Sequence, residues 1–341
     1  MITCYQNAND HKGLVRTYKE VLQENPAAAS APQRHYELAQ TYFDTEAFNH
    51  AAKNFIAIVE RYPASPFAQR VQSEHGEFLA SQYTYDWTPF TTFSSAVEQS
   101  RAGQYDEANA QLDEVLTAKR STDMAYAIPF QKELIEFRKN GDAAAFLAKL
   151  ESSSYEYPYG YGGVSAEGMH AVLQRIIDAQ EDAAANPDDA GAYVGMGWAY
   201  YQTGAYESAI SSAEQGIAHV PDSPDLYNML GYCYINLQRF SDALTTFEQL
   251  VTVAPEDPNS YDSMAECYYT SGDTVRAIEL YQQSLAVDSG FANPYYMLGR
   301  IYSEIGETEM AQEYLEQYLE TAPDGFQAQN AQNLLDQLQE E

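Results

Sequence analysis

A motif of 34 residues repeats four times between Ala190 and Gly325, and the copies stay in phase without an insertion. They occupy residues 190–223, 224–257, 258–291 and 292–325. Three positions show the regularity: the fourth (Tyr193, Tyr227, Tyr261, Tyr295), the eleventh (Tyr200, Tyr234, Tyr268, Tyr302) and the twentieth (Ala209, Ala243, Ala277, Ala311). A short unit repeated in this way is one supersecondary element, which buries its apolar face by stacking on its neighbours.

The spacing within the motif predicts two helices joined by a tight turn. Positions 4, 7 and 11 are three or four residues apart, so they share one face of a first helix. Small residues at positions 8 and 20 allow two helices to approach closely. Position 15 is glycine in three copies (Gly204, Gly272, Gly306), which is typical of a helix end, and Gln238-Arg239 takes that turn in the second copy. A proline at position 32 in three copies ends the second helix.

This pattern resembles the tetratricopeptide repeat family, and it is specific because several positions recur in four tandem copies. The resemblance implies an all-α fold, an α-solenoid of helix-turn-helix repeats wound into a right-handed superhelix. It also implies a role in protein–protein interaction. A chain of 341 residues is long for one globular core, but a repeat array grows by stacking without that limit.

Weaker copies of the motif precede the regular ones, and residues 1–153 are expected to form a degenerate N-terminal array. The block at 32–65 and the block at 89–122 keep several apolar positions in phase, and residues 66–88 and 123–153 are expected to form further helix pairs. Residues 165–325 are expected to form the C-terminal array, which opens with a helix that ends near Ala185. Residues 326–341 are expected to form a capping helix that covers the last repeat.

Residues 152–163 read Ser-Ser-Ser-Tyr-Glu-Tyr-Pro-Tyr-Gly-Tyr-Gly-Gly, and the glycines and Pro158 exclude a helix there. One interpretation is a linker between the two arrays, residues 154–164, with its tyrosines packed on neighbouring helices. The other is a loop that folds over the groove and contacts the ligand.

The stretch from Tyr36 to Ala68 also resembles repeats of bacterial periplasmic assembly and bridging lipoproteins, which favour endings like Tyr62-Pro63-Ala64-Ser65-Pro66. This resemblance implies a second hypothesis, a structural adaptor or assembly factor in a bacterial cell-envelope complex. Cys4 would then be the lipidated cysteine, although the residues before it match that role poorly. The start of the chain shows no signal peptide. We therefore expect a cytoplasmic location, with a periplasmic or lipid-anchored location as the alternative if an upstream signal is missing.

The charge of the chain limits its partners. The formal net charge is −32, and residues 151–341 contain 31 of the 50 acidic residues but 4 of the 18 basic residues. Such a surface repels phosphate backbones, which argues against nucleic acid as a partner. The acidity is either a solubilising surface, as in salt-rich habitats, or a selector for a cationic partner. No stretch approaches the roughly 20 apolar residues of a membrane-spanning helix.

Residues that carry catalysis or bind metals form no recognisable motif. The six histidines are scattered, no serine lies in a nucleophile elbow, and the glycines at 160, 162 and 163 follow no apolar strand. Cys233 and Cys267 both stand at position 10, where a small core residue is usual. We expect no enzyme activity, no metal and no cofactor. An enzyme or regulator built on an unrecognised domain in residues 66–153 is the third hypothesis.

The resemblance implies that positions 2, 5, 9, 12 and 13 of each copy face a concave groove. The residues expected to bind a partner there are Trp198, Tyr201, Asn228, Tyr232, Asp262, Glu266, Tyr269, Tyr296 and Arg300. Accessible aromatic side chains are typical binding anchors, and asparagines bind peptide backbone. Asp262 and Glu266 are expected to form an exposed acidic pair that holds one Lys or Arg. The alternative is that the next helix or the Tyr-rich segment covers some of these residues.

Some members of this family bind a partner's C-terminal carboxylate through Lys and Arg in the groove. Here Arg300 stands among three acidic residues, Asp225, Asp262 and Glu266. The expected partner is therefore a protein or peptide with apolar anchors and a basic residue. The first hypothesis for function is a protein-interaction scaffold that binds such a segment in the groove of the C-terminal array.

Overall fold

A computed structural model describes residue 5 and residues 10–24, 30–118, 127–152 and 166–340, and these residues form eighteen α-helices and no β-strand. The first nine are α1 (His11–Glu24), α2 (Ala31–Asp44), α3 (Phe48–Arg61), α4 (Pro66–Tyr83), α5 (Thr88–Arg101), α6 (Tyr105–Thr117), α7 (Ala127–Asn140), α8 (Ala143–Ser152) and α9 (Ala166–Ala185). The others are α10 (Ala190–Thr203), α11 (Tyr206–His219), α12 (Pro224–Asn236), α13 (Phe240–Val253), α14 (Pro258–Thr270), α15 (Thr274–Val287), α16 (Asn293–Glu304), α17 (Thr308–Thr321) and α18 (Ala328–Glu340).

The helices from α10 to α17 follow the period of the sequence motif. First helices α10, α12 and α14 begin at position 1 of their copies and α16 at position 2, while all four second helices begin at position 17. The turn at position 15 is left-handed in every copy, with φ of 75° at Gly204, 57° at Gln238, 93° at Gly272 and 82° at Gly306. Glycine adopts this conformation without strain, and Gln238 adopts it in the second copy. The predicted all-α solenoid of helix-turn-helix repeats is thereby confirmed.

The chain divides into two compact units, each built from two separate stretches of the sequence. The N-terminal unit consists of Met1–Ala179 and Ala199–Ser208, and the C-terminal unit consists of Gln180–Trp198 and Ala209–Glu341. The C-terminal unit contains the first-helix residues from α12, α14 and α16 together with the first half of α10.

Small residues set the distance between helices in the C-terminal unit. Ala243, Ala277 and Ala311, at position 20, are fully buried. At position 8, a Cβ atom added to Gly231 would stand 2.4 Å from the ring of Phe247. No side chain fits at that distance, so glycine allows the first helix of this repeat to touch its second helix.

A hydrogen bond recurs at three junctions between consecutive repeats, and we call it the junction latch. The hydroxyl of the tyrosine at position 4 donates to the carbonyl oxygen six residues earlier, which is position 32 of the preceding repeat. The three bonds are Tyr227 to Pro221 (3.0 Å), Tyr261 to Pro255 (3.1 Å) and Tyr295 to Ser289 (3.1 Å). Each latch therefore ties the start of a first helix to the end of the repeat before it.

Helix α18 lies on the last repeat. Its residues Ala331, Leu335 and Leu338 belong to the same buried cluster as Leu315 and Tyr318 of α17. Gln327 also donates its backbone N–H to the hydroxyl oxygen of Tyr318, at 3.0 Å. This helix covers apolar side chains that the last repeat would otherwise expose.

In the N-terminal unit, the block at 32–65 corresponds to the pair α2 and α3, and the block at 89–122 corresponds to the pair α5 and α6, with each first helix beginning one residue before its block. The expectation of a helix pair at 66–88 is wrong in part, because residues 66–83 form one helix of 18 residues. Gly76 lies within this helix, and the left-handed turn comes only at Thr84, where φ is 50°. A glycine in an otherwise helical sequence lowers helix stability without ending the helix.

Arg138 is a buried cation of the N-terminal unit, with 3% of its surface exposed. Its guanidinium donates to the carbonyl oxygen of Thr203 at 2.8 Å and to Oγ of Ser100 at 2.7 Å. The hydroxyl of Tyr200 donates to the carbonyl oxygen of Gly141 at 2.7 Å. These bonds join α5, α7 and the last residues of α10 within one unit.

Two predicted features lie outside the described residues: Cys4, and the Tyr/Gly-rich segment from residue 153 with its predicted linker at 154–164. None of the described helices combines the length and the apolar composition that crossing a membrane requires.

Candidate functional site

The candidate site is a row of side chains on the first helices of the C-terminal unit, which we call the first-helix face. Position 9 supplies Trp198 on α10, Tyr232 on α12, Glu266 on α14 and Arg300 on α16, all of them half-buried. The rings of Trp198 and Tyr232 are 6.3 Å apart, and the hydroxyl of Tyr232 donates to Oε2 of Glu266 at 2.8 Å. The motif period therefore places equivalent residues side by side on successive helices.

A hydrogen bond between residues at positions 5 and 6 also links the second and third repeats. Oγ of Ser263 donates to Oδ1 of Asn228 at 2.8 Å. Burial raises the pKa of the Tyr232 hydroxyl, and the charge of Glu266 raises it further. Tyr232 therefore stays protonated and acts as a donor to Glu266 over the physiological pH range.

Asp262 lies on the floor of the first-helix face. Its exposed fraction is 3%, and both of its carboxylate oxygens accept a hydrogen bond from Nδ2 of Asn293, at 2.9 and 3.0 Å. Burial raises the pKa of this carboxyl to about 7, since the Asn293 amide lowers it less than burial raises it and Glu266 adds to the increase. Asp262 thus changes its charge near neutral pH, which an exposed aspartate does not do.

At the α16 end of the face, Arg300 lies among aromatic rings. Its guanidinium carbon is 5.7 Å from the ring centroid of Tyr269 and 5.9 Å from that of Tyr296. The hydroxyl of Tyr269 donates to the Glu304 carboxylate at 2.7 Å, and Nη2 of Arg300 lies 3.5 Å from Oε1 of Glu304. Arg300 is therefore engaged within the chain and leaves little free positive charge for a ligand carboxylate.

Eight of the nine predicted site residues lie in the C-terminal unit and line this face, and six of them are half-buried, with part of each side chain accessible. Tyr201 belongs to the N-terminal unit, where its ring packs edge-on against Tyr206 at 5.3 Å. The expectation of accessible side chains is wrong at two positions, Asp262 and Tyr296. Asn293 covers Asp262, and the ring of Tyr296 packs against Tyr318 of α17 at 5.6 Å, which leaves 8% of Tyr296 exposed.

Two polar residues at the site do not appear among the predicted ones. Ser263 stands at position 6, where two other copies have Met229 and Met297, and Tyr281 stands at position 24, where two other copies have Phe247 and Leu315. The sequence signal for both residues is that a polar side chain stands where other copies of the motif have an apolar one. Both departures fall in the third copy, beside Asp262 and Glu266.

The described residues do not contain a group of three or more His, Cys, Asp or Glu side chains arranged to hold a metal ion. Cys233 and Cys267 are fully buried in the core. Burial raises the pKa of the Cys267 thiol to about 11, and the charge of Glu266 adds to this increase. Cys267 is therefore an un-ionised core residue at neutral pH, in agreement with its position in the motif.

A separate cleft of about 700 Å³ opens in the N-terminal unit. Its floor is aromatic: Phe43 and Phe78 have ring centroids 5.1 Å apart, and Phe48, which is 42% exposed, lies 5.4 Å from Phe43. Tyr83 and Asn49 close one side through a hydrogen bond of 2.9 Å.

Sequence patterns of the tetratricopeptide repeat match residues 170–224, 200–267 and 268–338. These ranges overlap the helix pairs that carry the first-helix face. Residues 170–338 belong to the tetratricopeptide repeat family. Tetratricopeptide repeats are typically protein-interaction modules and not catalysts. The family therefore supports a general role for this array as a protein-interaction scaffold.

Among solved structures, the chain is similar to a tetratricopeptide repeat protein from Parabacteroides merdae, with 14% identity over 95% of this chain and 99% of that one and a TM-score of 0.40. The protein TTC0263 of Thermus thermophilus shares 18% identity over 49% of this chain and 93% of its own, with a TM-score of 0.43. YrrB, described as having an unusual peptide-binding site, shares 20% identity over 59% and 97%, with a TM-score of 0.37. The search of curated proteins gave no match.

Proposed function

We propose that the tetratricopeptide array binds a peptide or protein segment along the first-helix face. The observation that carries this proposal is a row of half-buried aromatic side chains on three successive first helices, Trp198, Tyr232 and Tyr269. They stand at positions 9 and 12 of the motif, outside the recurring tyrosine positions 4 and 11. Large aromatic side chains that keep one side accessible are typical anchors in protein interfaces.

The charges of the face favour a segment with basic residues. Glu266 and Glu304 are accessible carboxylates, and Arg300 is held by the Glu304 carboxylate and two tyrosine rings. A partner therefore meets aromatic surface and negative charge together. The aromatic anchors should dominate affinity, while the carboxylates should govern association rate and salt sensitivity.

The test begins with capture of a partner from a lysate of the source cells by the full-length chain, followed by measurement of the dissociation constant. Trp198→Ala and Tyr232→Ala should each weaken binding by about 2 kcal/mol or more, as truncated anchors commonly do. Tyr232→Phe keeps the ring and removes only the hydrogen bond to Glu266, so it separates the two contributions.

Tyr314→Ala is the matched control, because Tyr314 is a half-buried tyrosine on the second helix α17, stacked on Tyr302 at 5.5 Å. It removes the same volume as Tyr232→Ala from the same unit and should leave binding unchanged. If the Trp198 and Tyr232 variants bind like wild type while their melting is unaltered, the partner does not use the first-helix face. The aromatic cleft around Phe43 and Phe78 then becomes the surface to test.

A further inference from the structure

The hydroxyl of Tyr281 is a buried polar group that the fold does not use. The side chain is 0% exposed, and its oxygen has no hydrogen-bond partner among the described residues. Burial raises the pKa of this hydroxyl, and the carboxylates of Asp262 and Glu266 raise it further. Tyr281 also packs in the same buried cluster as Ala265, which stands between Asp262 and Glu266 on α14. Because buried polar atoms in native proteins nearly always have a partner, this one marks a position where a ligand group fits.

The donor that now satisfies Asp262 is an uncharged side chain from the next repeat. One nitrogen of the Asn293 amide donates to both carboxylate oxygens, at 2.9 and 3.0 Å. Asn293 itself is half-exposed and stands at the first turn of α16. A cationic donor competes well with an amide for an ionised carboxylate, because hydrogen bonds between charged partners are shorter and stronger than neutral ones.

We propose that Asp262, Glu266 and Tyr281 form a binding site for a single primary ammonium group, which displaces the amide of Asn293 from Asp262. An ammonium has three N–H donors that rotate freely, and the three residues supply three separate acceptors from α14 and α15. A guanidinium is planar and pairs with the two oxygens of one carboxylate, so on Asp262 it would leave the Tyr281 hydroxyl without a donor, whereas an ammonium can donate to all three residues. The inference rests on the proposed function only in requiring that the first-helix face be open to a ligand.

Binding at this site is coupled to a proton. The cation enters, the carboxyl of Asp262 loses its proton to solvent, and the local charge is conserved. With a pKa of about 7, Asp262 is ionised in roughly one molecule in ten at pH 6 and nine in ten at pH 8. The other titratable groups around it are Tyr232 from α12, Glu266 and Cys267 from α14, Tyr281 from α15 and Arg300 from α16. Burial keeps the tyrosines and the thiol protonated over this range.

Lysine side chains and chain termini both supply a primary ammonium, so three probes are needed. Nα-acetyl-lysine methylamide carries the side-chain ammonium, norleucine methylamide carries an α-ammonium, and Nα-acetyl-norleucine methylamide is the uncharged control. Binding to the full-length chain is followed by NMR amide shifts. We expect the lysine probe, whose ammonium stays charged over this range, to bind about tenfold more tightly at pH 8 than at pH 6, following the ionised fraction of Asp262. The α-ammonium probe loses part of its own charge near pH 8, so the two ammonium sources are compared at pH 7. The uncharged control should not bind.

Three variants test the individual roles. Asp262→Asn should abolish both binding and its pH dependence, and Tyr281→Phe should weaken binding several-fold while the pH dependence remains. Asn293→Ala removes the competing amide and should tighten binding, a gain that a purely structural disturbance would not produce. Tyr314→Phe, which removes a tyrosine hydroxyl outside the site, should bind like wild type.

The inference is overturned if the uncharged probe binds as well as the charged ones, if affinity is equal at pH 6 and pH 8, or if Tyr281→Phe and Asn293→Ala both behave like wild type. Its failure differs from failure of the proposed function. If partner binding depends on Trp198 and Tyr232 but the ammonium probes do not bind, the peptide-binding face is supported and only the ammonium site is refuted.

Discussion

Asp262 makes the stability of the C-terminal unit depend on pH in a direction opposite to that of most aspartates. A carboxyl in a salt bridge has a lowered pKa and stabilises the fold above its unfolded pKa. Asp262 has a raised pKa, about 7 against an ordinary value of 3.8. The folded state therefore holds the proton more tightly than the unfolded state, and the contribution of this group to stability falls as pH rises from about 4 to about 7.

The size of the effect follows from the shift. One pKa unit corresponds to about 1.4 kcal/mol, so the enclosed charge costs about 4 kcal/mol once Asp262 is fully ionised in both states. Between pH 5 and pH 8 the loss is about 2–3 kcal/mol, because part of the cost is already present at pH 5. Asparagine has the same shape and cannot ionise. The advantage of Asp262→Asn over wild type should therefore grow by about 2–3 kcal/mol across this interval.

The assay is urea unfolding at pH 5 and pH 8, followed by circular dichroism, with hydrogen exchange of the α14 amides as a local measure of the same free energy. Local exchange is needed because repeat arrays do not always unfold in one step. Asp225→Asn is the control, since it makes the same substitution at an exposed aspartate on α12 of the same unit. An Asp262→Asn difference that is equal at pH 5 and pH 8 would refute the burial argument.

Three further predictions concern the packing. Gly231→Ala should destabilise the C-terminal unit by about 1–3 kcal/mol, because the added methyl meets the Phe247 ring, whereas Gly195→Ala, with no atom within 4 Å of the new Cβ, should stabilise α10 by about 0.5–1 kcal/mol. Urea midpoints of the two variants test this pair. Arg138→Met should cost about 2–4 kcal/mol, measured in the same way, because two hydrogen bonds from a charged donor are lost. Deleting 326–341 should cause aggregation, visible by light scattering, because Leu315 and Tyr318 lose the cover of α18; a monomeric truncation of equal stability would contradict the capping role.

The phase of the repeats could be read from the sequence, because it depends on local requirements. Position 15 needs a residue that adopts a left-handed backbone conformation, and position 8 needs a small residue. Neither requirement depends on distant parts of the chain. Even Gln238 at the turn of the second copy follows this logic, with φ of 57°.

The burial of each side chain on the first-helix face could not be predicted from the sequence. Position 5 is occupied by Asn228, Asp262 and Tyr296 in three copies, and their burial depends on what the next repeat places above them. Asn293 covers Asp262, whereas Asn228 stays half-buried. The sequence shows that Tyr281 is a polar departure at position 24, but only the structure shows that its hydroxyl is buried without a hydrogen-bond partner among the described residues.

The junction latches have a consequence for how the array meets a ligand. Each latch spans a joint between repeats, where a chain of stacked helix pairs would otherwise flex most easily. Stiff joints hold neighbouring first helices at a constant spacing before any partner arrives. A segment that docks across several repeats then loses less free energy to ordering its receptor, since that ordering is already part of folding. On the proposed function, the tyrosine hydroxyls of the latches would thus contribute to affinity without contacting the ligand themselves.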